Sequence, residues 1–241
     1  EIMFVATYGS PTAPAVILLH GAGVAGWMWA PVITRLAATR RVLVPDLPGH
    51  GASAAEPFDG VAATVSALAD LLGDGAAVAG FSWGGQLALH LASEHPASVR
   101  SVSVISSLAR PLPAAPVLDP MVKATLPLAR HRWFARLQAT SMGVPAAMMD
   151  DYIDTSVHVD PDALAAILAA NNRFVLPRGW ADYRGRVLVA YGSCEPRSVR
   201  GSATALHVSA AQSRLVEVIG AHHDIPFRVP DWLADALQSS V

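Results

Sequence analysis

The sequence contains little of several residue types that usually indicate a particular location or partner. Of its 241 residues, only Cys194 is a cysteine and only Lys123 is a lysine. A single cysteine excludes an internal disulfide and fits a reducing compartment. Charged residues make up 15% of the chain and the net charge is −2. No basic surface for nucleic acid is therefore predicted.

The chain also lacks a segment that could span a membrane, although 52% of its residues are hydrophobic. Its longest uncharged stretch, residues 10–34, contains His20 together with glycines and prolines, which do not suit a spanning helix. Residues 1–5 show neither a basic region nor a long apolar region, so no signal peptide is predicted. We therefore expect a cytoplasmic location.

Short apolar runs alternate with helical patterns along most of the chain. This alternation predicts an α/β protein with a mostly parallel sheet and helices on both faces. Parallel strands buried on both faces also account for the high apolar content. Strands are predicted at residues 4–8, 16–19, 41–45, 76–79, 99–105, 187–191 and 215–219. Helices are predicted at residues 29–38, 61–72, 84–93, 202–210 and 231–238.

The alternation stops between residues 108 and 180, where no strand pattern is found. Five prolines between positions 111 and 127 are expected to divide the start of this segment into short pieces. Helices are predicted further on, and Asp160-Pro161 supplies a cap and a first helical residue for the last of them. These predicted helices cover residues 133–141, 146–155 and 162–170.

The sequence Gly80-Phe81-Ser82-Trp83-Gly84 joins a predicted strand to a predicted helix. A Gly-x-Ser-x-Gly turn at such a junction forces a sharp bend that exposes the serine hydroxyl, and the glycines leave room for the backbone. The context predicts that Ser82 is a nucleophile. The alternative is a small residue in a tight structural turn.

Three other motifs accompany this turn: residues 20–23 (His-Gly-Ala-Gly), residues 46–51 (Asp-Leu-Pro-Gly-His-Gly) and residues 221–226 (Ala-His-His-Asp-Ile-Pro). Together with residues 80–85 they resemble the α/β-hydrolase superfamily, in the family's order and over nearly the whole chain. The closest resemblance is to small capped carboxylesterases of the pimeloyl-carrier-protein methyl ester type.

The resemblance implies the α/β-hydrolase fold, with a mostly parallel central sheet flanked by helices. It places the core at residues 1–107 and 181–241. Residues 108–180 are expected to form a helical cap, or lid, inserted after the sixth family strand. No cofactor is expected.

The resemblance also implies a base for the nucleophile. His223 aligns with the histidine of the family's Gly-x-Gly-His-x-x-Pro loop, while His222 replaces a glycine, so His223 is preferred of the two. A metal site at residues 222–224 is not expected, because adjacent residues rarely point at one ion.

Glu195 takes the place of the aspartate that follows a family strand as Gly-x-x-Asp, and its longer side chain can still orient an imidazole. The alternative is an exposed loop residue and an incomplete triad. The other family position for the acid, after residue 105, offers Ser106 and Ser107 but no carboxylate. By resemblance, the backbone N–H groups of Ala22 and Trp83 form the oxyanion hole.

Apolar residues around the expected site mouth predict an acyl or alkyl pocket, although packing between cap and sheet explains many of them equally well. The residues expected to contact substrate are Trp27, Phe81, Phe134, Leu137, Gln138 and Met142. A carrier protein is a further partner hypothesis, since Arg130, Arg132 and Arg136 could bind an acidic surface. They could equally form a solvated helix face.

These inferences predict a serine carboxylesterase that cleaves small to medium acyl esters through an acyl-enzyme on Ser82. A second hypothesis keeps the same three residues for lactone, thioester or C–C bond hydrolysis, or for perhydrolysis. A third is a ligand-binding protein with weak catalysis, and the glutamate at position 195 is the only sequence feature that favours it.

Overall fold

The structure is a computed structural model, and it describes residues 3–239. One seven-stranded sheet forms its centre, in the spatial order β1-β3-β2-β4-β5-β6-β7. The pair β1 and β3 is antiparallel and the other neighbouring pairs are parallel, which confirms the mostly parallel sheet. The strands are β1 (Val5–Tyr8), β2 (Ala15–Leu19), β3 (Arg41–Pro45), β4 (Ala76–Phe81), β5 (Val99–Ile105), β6 (Arg186–Gly192) and β7 (Ser213–Val218).

Helices connect the strands and cover both faces of the sheet. They are α1 (Ala30–Leu36), α2 (Val61–Ala69), α3 (Trp83–Glu94), α4 (Ala115–Thr125), α5 (Arg132–Ser141), α6 (Met149–His158), α7 (Pro161–Asn172), α8 (Arg197–Ser209), α9 (Ile225–Arg228) and α10 (Pro230–Ser239). Short 3₁₀ turns extend several of them, such as Gly26–Trp29 before α1. Among residues 3–239, no helix is both long and apolar enough to cross a lipid bilayer.

The sheet separates two apolar cores. Successive residues of β2 point to opposite faces. Ile17 and Leu19 therefore belong to the core beneath α3, while Val16 and Leu18 belong to the core beneath α1 and α10. All six residues of β4 are buried, as expected for a strand covered on both faces.

The strand order reverses at β2. From β2 the chain moves to β3 on one side, and β4 then returns to the other side of β2. In such sheets a crevice opens at the carboxyl ends of the strands where the order reverses. The loop after β2 and the turn after β4 both lie at this crevice.

Between β5 and β6 the described chain forms helices α4 to α7 and no strand, as the sequence predicts. We call residues 108–180 the helical segment. The expected division by proline is found at Pro127, where α4 is followed by a 3₁₀ turn, but not at Pro116 and Pro120, which lie within α4. Pro116 stands in the first turn, where a missing N–H has no consequence, and Pro120 removes one helical hydrogen bond. Asp160 caps α7 as predicted, accepting from the Asp162 and Ala163 N–H groups at 2.7 and 3.2 Å.

Polar contacts attach the helical segment to the sheet. The side chain of Gln86, in α3, is 2% exposed and donates to the carbonyl oxygens of Leu108 and Asn171 at 3.3 and 3.1 Å. The indole N–H of Trp27 donates to the Thr155 hydroxyl at 2.9 Å. These contacts connect the start of the segment and α7 with α3, and α6 with the loop after β2. The outer ends of the predicted core, residues 1–2 and 240–241, lie outside the described residues.

Candidate active site

Ser82 lies in a strained turn between β4 and α3. Its φ is 54° and its ψ is −118°, and such backbone strain in a residue with a side chain is of order 1–3 kcal/mol. The Ser82 N–H donates to the Ile105 carbonyl at 2.8 Å. The Ser107 hydroxyl and the Gly85 N–H donate to the Ser82 carbonyl at 2.8 and 3.0 Å. Contacts from β5 and α3 therefore hold the turn in its strained conformation.

The glycines of this turn are required by close backbone contacts. A Cβ atom on Gly80 would overlap with the backbone of Gly84, and a Cβ on Gly84 would overlap with the carbonyl oxygen of Leu19. The start of α3 thus packs directly on the ends of β2 and β4. This packing places Ser82 at the crevice.

His223 and Glu195 are hydrogen-bonded beside this turn. His223 Nδ1 lies 2.6 Å from Glu195 Oε1, an acceptor whose residue is 3% exposed. A carboxylate accepts a hydrogen bond from Nδ1–H, which keeps the proton on that nitrogen, so the other ring nitrogen, Nε2, carries a free lone pair. That nitrogen can accept a proton from a nucleophile.

The carboxylate of Glu195 is held by two further donors. Its Oε2 accepts the Gly192 N–H at 2.7 Å and the Ser106 hydroxyl at 3.0 Å. Gly192 ends β6 and Ser106 follows β5, so the two neighbouring strands fix the position of the acid. The buried carboxylate is therefore fully engaged, and the alternative of an exposed loop residue does not describe Glu195.

The neighbouring His222 occupies a different environment. Its side chain is exposed, and its backbone N–H donates to Asp224 Oδ1 at 2.9 Å. Asp224 also pairs with Arg228 at 2.9 Å. Of the two candidate histidines, the structure brings His223 and not His222 to the buried carboxylate.

Ser82 and His223 line one cavity of about 370 Å³, which we call the reaction chamber. The His223 ring lies 4.7 Å from the Phe81 ring, centroid to centroid. Residues of the helical segment form the opposite wall, among them Leu112, Met142 and Leu168. The arrangement exposes a serine and an imidazole to a mostly apolar chamber.

Two backbone N–H groups without a hydrogen-bond acceptor belong to residues near Ser82. Trp83 is the first residue of α3, and the first N–H groups of a helix have no acceptor within it. Within residues 3–239, the Ala22 N–H has no hydrogen-bond acceptor either. Ala22 lines the reaction chamber, and its neighbour Gly21 packs on Ser82 and Phe81. Two free N–H groups can stabilise a negatively charged oxygen.

Two buried histidines hold the loop that contains Ala22. His20 Nδ1 donates to the Gly21 carbonyl at 2.8 Å, and its Nε2 accepts the Leu47 N–H at 2.9 Å. His50 Nε2 accepts the Gly23 N–H at 3.0 Å, and the ring centroids of the two histidines are 5.2 Å apart. Each accepting nitrogen must be unprotonated, so both rings are neutral.

Burial sets the charge state of these rings. Burial, with a smaller contribution from the nearby His50, lowers the pKa of His20 to about 3. Burial also lowers the pKa of His50. Near neutral pH both side chains therefore act as uncharged braces, and neither one lines the reaction chamber.

The residues predicted to contact substrate divide into two groups. Phe81 and Met142 line the reaction chamber, and Gln138 lines a neighbouring cavity. Trp27 instead stacks on Phe227 at a centroid distance of 6.2 Å. Phe134 packs on Trp133, and Leu137 is 60% exposed. Trp27, Phe134 and Leu137 line neither of these two cavities, and their contact with substrate stays a prediction.

The sequence did not reveal the part played by Ser106. Its φ is 54°, and within the described chain it shares a positive φ with only one other non-glycine residue, Ser82. A serine after a buried strand carries no signal for this conformation. In this conformation the Ser106 hydroxyl donates to Glu195, which lies in the loop after the neighbouring strand β6.

Metal ligands are not grouped in the described part of the chain. No cluster of three or more His, Cys, Asp or Glu side chains there could hold an ion. Cys194 is exposed, with its sulfur 3.8 Å from the Ser193 hydroxyl.

Comparison with known proteins gives one family match. The model of the alpha/beta hydrolase family matches residues 16–236. The pimeloyl-[acyl-carrier protein] methyl ester esterase of Chromobacterium violaceum is 42% identical over 113 residues. That match covers 45% of this chain and 42% of the relative, so it spans less than half of the relative's length.

Solved structures share the fold at lower identity. The enol-lactonase of Burkholderia xenovorans LB400 superposes with a TM-score of 0.82 at 22% identity, covering 98% of this chain and 95% of the other. A thermophilic esterase from Thermogutta terrifontis gives a TM-score of 0.79 at 20% identity, covering 98% and 92%. At these identities the likeness shows the fold alone.

Proposed function

Because this chain belongs to the alpha/beta hydrolase family, we propose that it is a serine esterase that cleaves small to medium acyl esters. One observation carries the proposal. The His223 imidazole is hydrogen-bonded to the buried Glu195 carboxylate and lines the same chamber as Ser82, which stands in a strained strand-to-helix turn. A base with a fixed tautomer beside a serine is what acyl transfer requires.

In the proposed reaction, the Ser82 hydroxyl oxygen attacks the ester carbonyl carbon while His223 Nε2 takes its proton. Glu195 stabilises the imidazolium that forms. The carbonyl oxygen becomes negatively charged and accepts hydrogen bonds from the N–H groups of Ala22 and Trp83. Each of these donors contributes roughly a hundred- to a thousandfold in rate.

The intermediate collapses when the bond from carbon to the alkoxy oxygen breaks. His223 returns its proton to that oxygen, and the alcohol leaves an acyl group on Ser82. Water then attacks the acyl carbon by the same route, with His223 again taking and returning a proton. The products are the free acid and the original serine.

The substrate class follows from the walls of the reaction chamber and from the relatives. Leu108, Leu112, Leu168 and Val199 make much of the chamber apolar, which suits an acyl chain. We assign the helical segment as the cap over the site, since it contributes several of these residues. The name of the similar Chromobacterium violaceum enzyme describes an ester of this kind.

A carrier protein is the partner that fits this relative's name. Arg130, Arg132 and Arg136 are exposed on the helical segment, and in the described chain none of them forms an ion pair with an acidic side chain. An acidic carrier could bind there while its acyl group enters the chamber. We therefore propose a carrier-bound acyl ester as one form of the substrate.

A p-nitrophenyl ester series tests the proposal. We expect Ser82→Ala and His223→Ala each to lower kcat/KM by roughly a thousandfold or more, because the residues act as one unit. His222→Ala is the matched control, one position away and exposed, and should stay within about twofold of the parent. Lactones, thioesters and diketones run alongside would identify the related chemistries. Full ester turnover by Ser82→Ala would refute the proposal.

A further inference from the structure

A second chamber lies under the helical segment, next to the reaction chamber. Its volume is about 240 Å³, compared with about 370 Å³ for the chamber that contains Ser82. Three residues line both spaces: Ala22, Met142 and Leu168. These residues therefore form the wall between the two chambers.

The position of Ala22 places the reacting carbonyl group of a substrate near this wall. Its N–H group is one of the two proposed donors to the ester carbonyl oxygen. A chain attached to that carbonyl carbon therefore starts close to the shared wall. An acyl chain that is too long for the reaction chamber can extend further only if a residue of this wall moves or if the chain turns toward solvent.

Met142 is the wall residue that can move most easily. Its side chain is unbranched and flexible, unlike the branched Leu168 and the short Ala22. It follows α5 directly, and the next residue, Gly143, has a φ of 71°. Met142 also lines a third cavity, of about 530 Å³, on the side of His222 and Arg228. Space on three sides gives the side chain alternative positions.

A hydrogen bond holds Met142 in its present position. The Tyr152 hydroxyl donates to the Met142 sulfur at 3.4 Å. Tyr152 is buried in α6, and its burial raises the pKa of the hydroxyl, so the donor keeps its proton at neutral pH. A thioether is a weak acceptor, so this contact can be broken at little cost.

The second chamber has walls without charge. Leu126, Ala129, Val159 and Leu164 supply apolar surface, and the side chains of Gln138, Tyr152 and Ser156 supply neutral hydrogen-bonding groups. No charged side chain of the described residues lines it. A carboxylate at the end of an acyl chain would be desolvated there without a cation to pair with.

We propose that Met142 is a gate between the two chambers, and that the enzyme takes medium-length acyl chains with an uncharged end, which pass Met142 into the second chamber. This inference rests on the esterase function proposed above. Short acyl groups fit in the reaction chamber with the gate closed. Longer ones displace Met142 from Tyr152.

The test measures kcat/KM for p-nitrophenyl esters from acetate through butyrate and octanoate to decanoate. Met142→Ala joins the chambers, and we expect the decanoate-to-butyrate ratio to rise about tenfold. Leu168→Ala opens the same wall from α7 and should change the ratio in the same direction. Met121→Ala is the matched control, because Met121 is 62% exposed on α4 and should leave the ratio unchanged.

Two further substrates test the proposed preference for acyl chains with an uncharged end. An octanoyl ester should be cleaved at least tenfold faster than the ester of the same length that carries a terminal carboxylate. Equal rates for this pair would overturn that part of the proposal. If Met142→Ala and Leu168→Ala both fold, but each changes kcat/KM by the same factor for every chain length, the gate is refuted.

A binding measurement separates this inference from the esterase function. If no ester is cleaved, the proposed function fails, yet calorimetric titration with primary alkyl amides of increasing length still reports on the chambers. Affinity for decanamide relative to butanamide should then increase in Met142→Ala by about the same tenfold. Unchanged relative affinity would refute the gate independently of turnover.

Discussion

At the scale of single residues, the candidate site depends on hydrogen bonds that keep one carboxylate in place. Glu195 substitutes for the expected aspartate, and its longer side chain reaches His223 because Gly192 and Ser106 hold its other oxygen. The glutamate is thus compatible with a complete triad. It gives no support to the hypothesis of a binding protein with weak catalysis.

Substitutions of Ser106 separate its hydrogen bond from its backbone strain. Ser106→Ala loses the hydroxyl and keeps the positive φ, whereas Ser106→Gly loses the hydroxyl and relieves the strain. We expect both to lower kcat about tenfold, since a hydrogen bond to a charged group contributes roughly 1.5–3 kcal/mol. Thermal unfolding should show the glycine variant to be the more stable. If the activities of the two variants differed in the same order as their stabilities, loss of the hydroxyl would not explain the effect, and this role would be contradicted.

At the scale of elements, the contact of α3 with the strand ends determines where Ser82 lies. Gly84→Ala places a methyl group against the carbonyl oxygen of Leu19, so α3 must shift. We expect a loss of about 1–3 kcal/mol in the free energy of unfolding, together with loss of activity. The measurement is urea denaturation followed by an esterase assay.

Gly201→Ala in α8 is the matched control for this substitution. Apart from its chain neighbours and the backbone of its own helix, no atom lies within 4 Å of the Cβ that it introduces. Alanine favours the helical conformation, so this variant should gain about 0.5–1 kcal/mol. If the two alanine variants were equally stable and equally active, close packing of α3 would not explain the glycine.

The loop at residues 20–23 makes stability depend on pH. In the folded state burial lowers the pKa of His20 to about 3, below the unfolded value near 6.5, so the unfolded chain binds more protons between these values. The contribution of His20 to the free energy of unfolding is complete above pH 6.5. It is lost as the pH falls, by about 1.4 kcal/mol per pH unit.

Denaturation at pH 7 and pH 5 checks this dependence. His20→Asn should lose less stability than the parent over that interval, because the titrating group is absent. If parent and variant lost the same amount of stability between the two pH values, His20 would not be held neutral in the folded protein.

The sequence carried enough information to predict most elements and the turn that holds Ser82, because each depends on a local pattern, whereas His223 and Glu195 were predicted from the family resemblance. Buried parallel strands appear as apolar runs, and the serine turn has its own glycine spacing. The course of α4 through Pro120 and the positive φ of Ser106 depend on tertiary contacts instead. The outward position of Leu137 has the same origin, since helix spacing does not specify which neighbour a helix packs against.

At the scale of the whole molecule, the proposed activity requires parts that are distant in sequence to meet at one crevice. The sheet brings together the loop after β2, the turn after β4 and the loops after β6 and β7. The helical segment adds the opposite wall and, through Gln86, remains attached to the helix that begins beside Ser82. Under the proposed function, selection among substrates belongs to this segment, and bond cleavage belongs to the loops at the ends of the sheet strands.

Mass spectrometry of the enzyme quenched during turnover of a p-nitrophenyl ester tests the central claim most directly. The account predicts an added acyl mass on the peptide that contains Ser82 in the parent protein, and no such adduct in His223→Ala. An acyl group found on another residue, such as the exposed Cys194, or ester turnover without any adduct on Ser82 would contradict it.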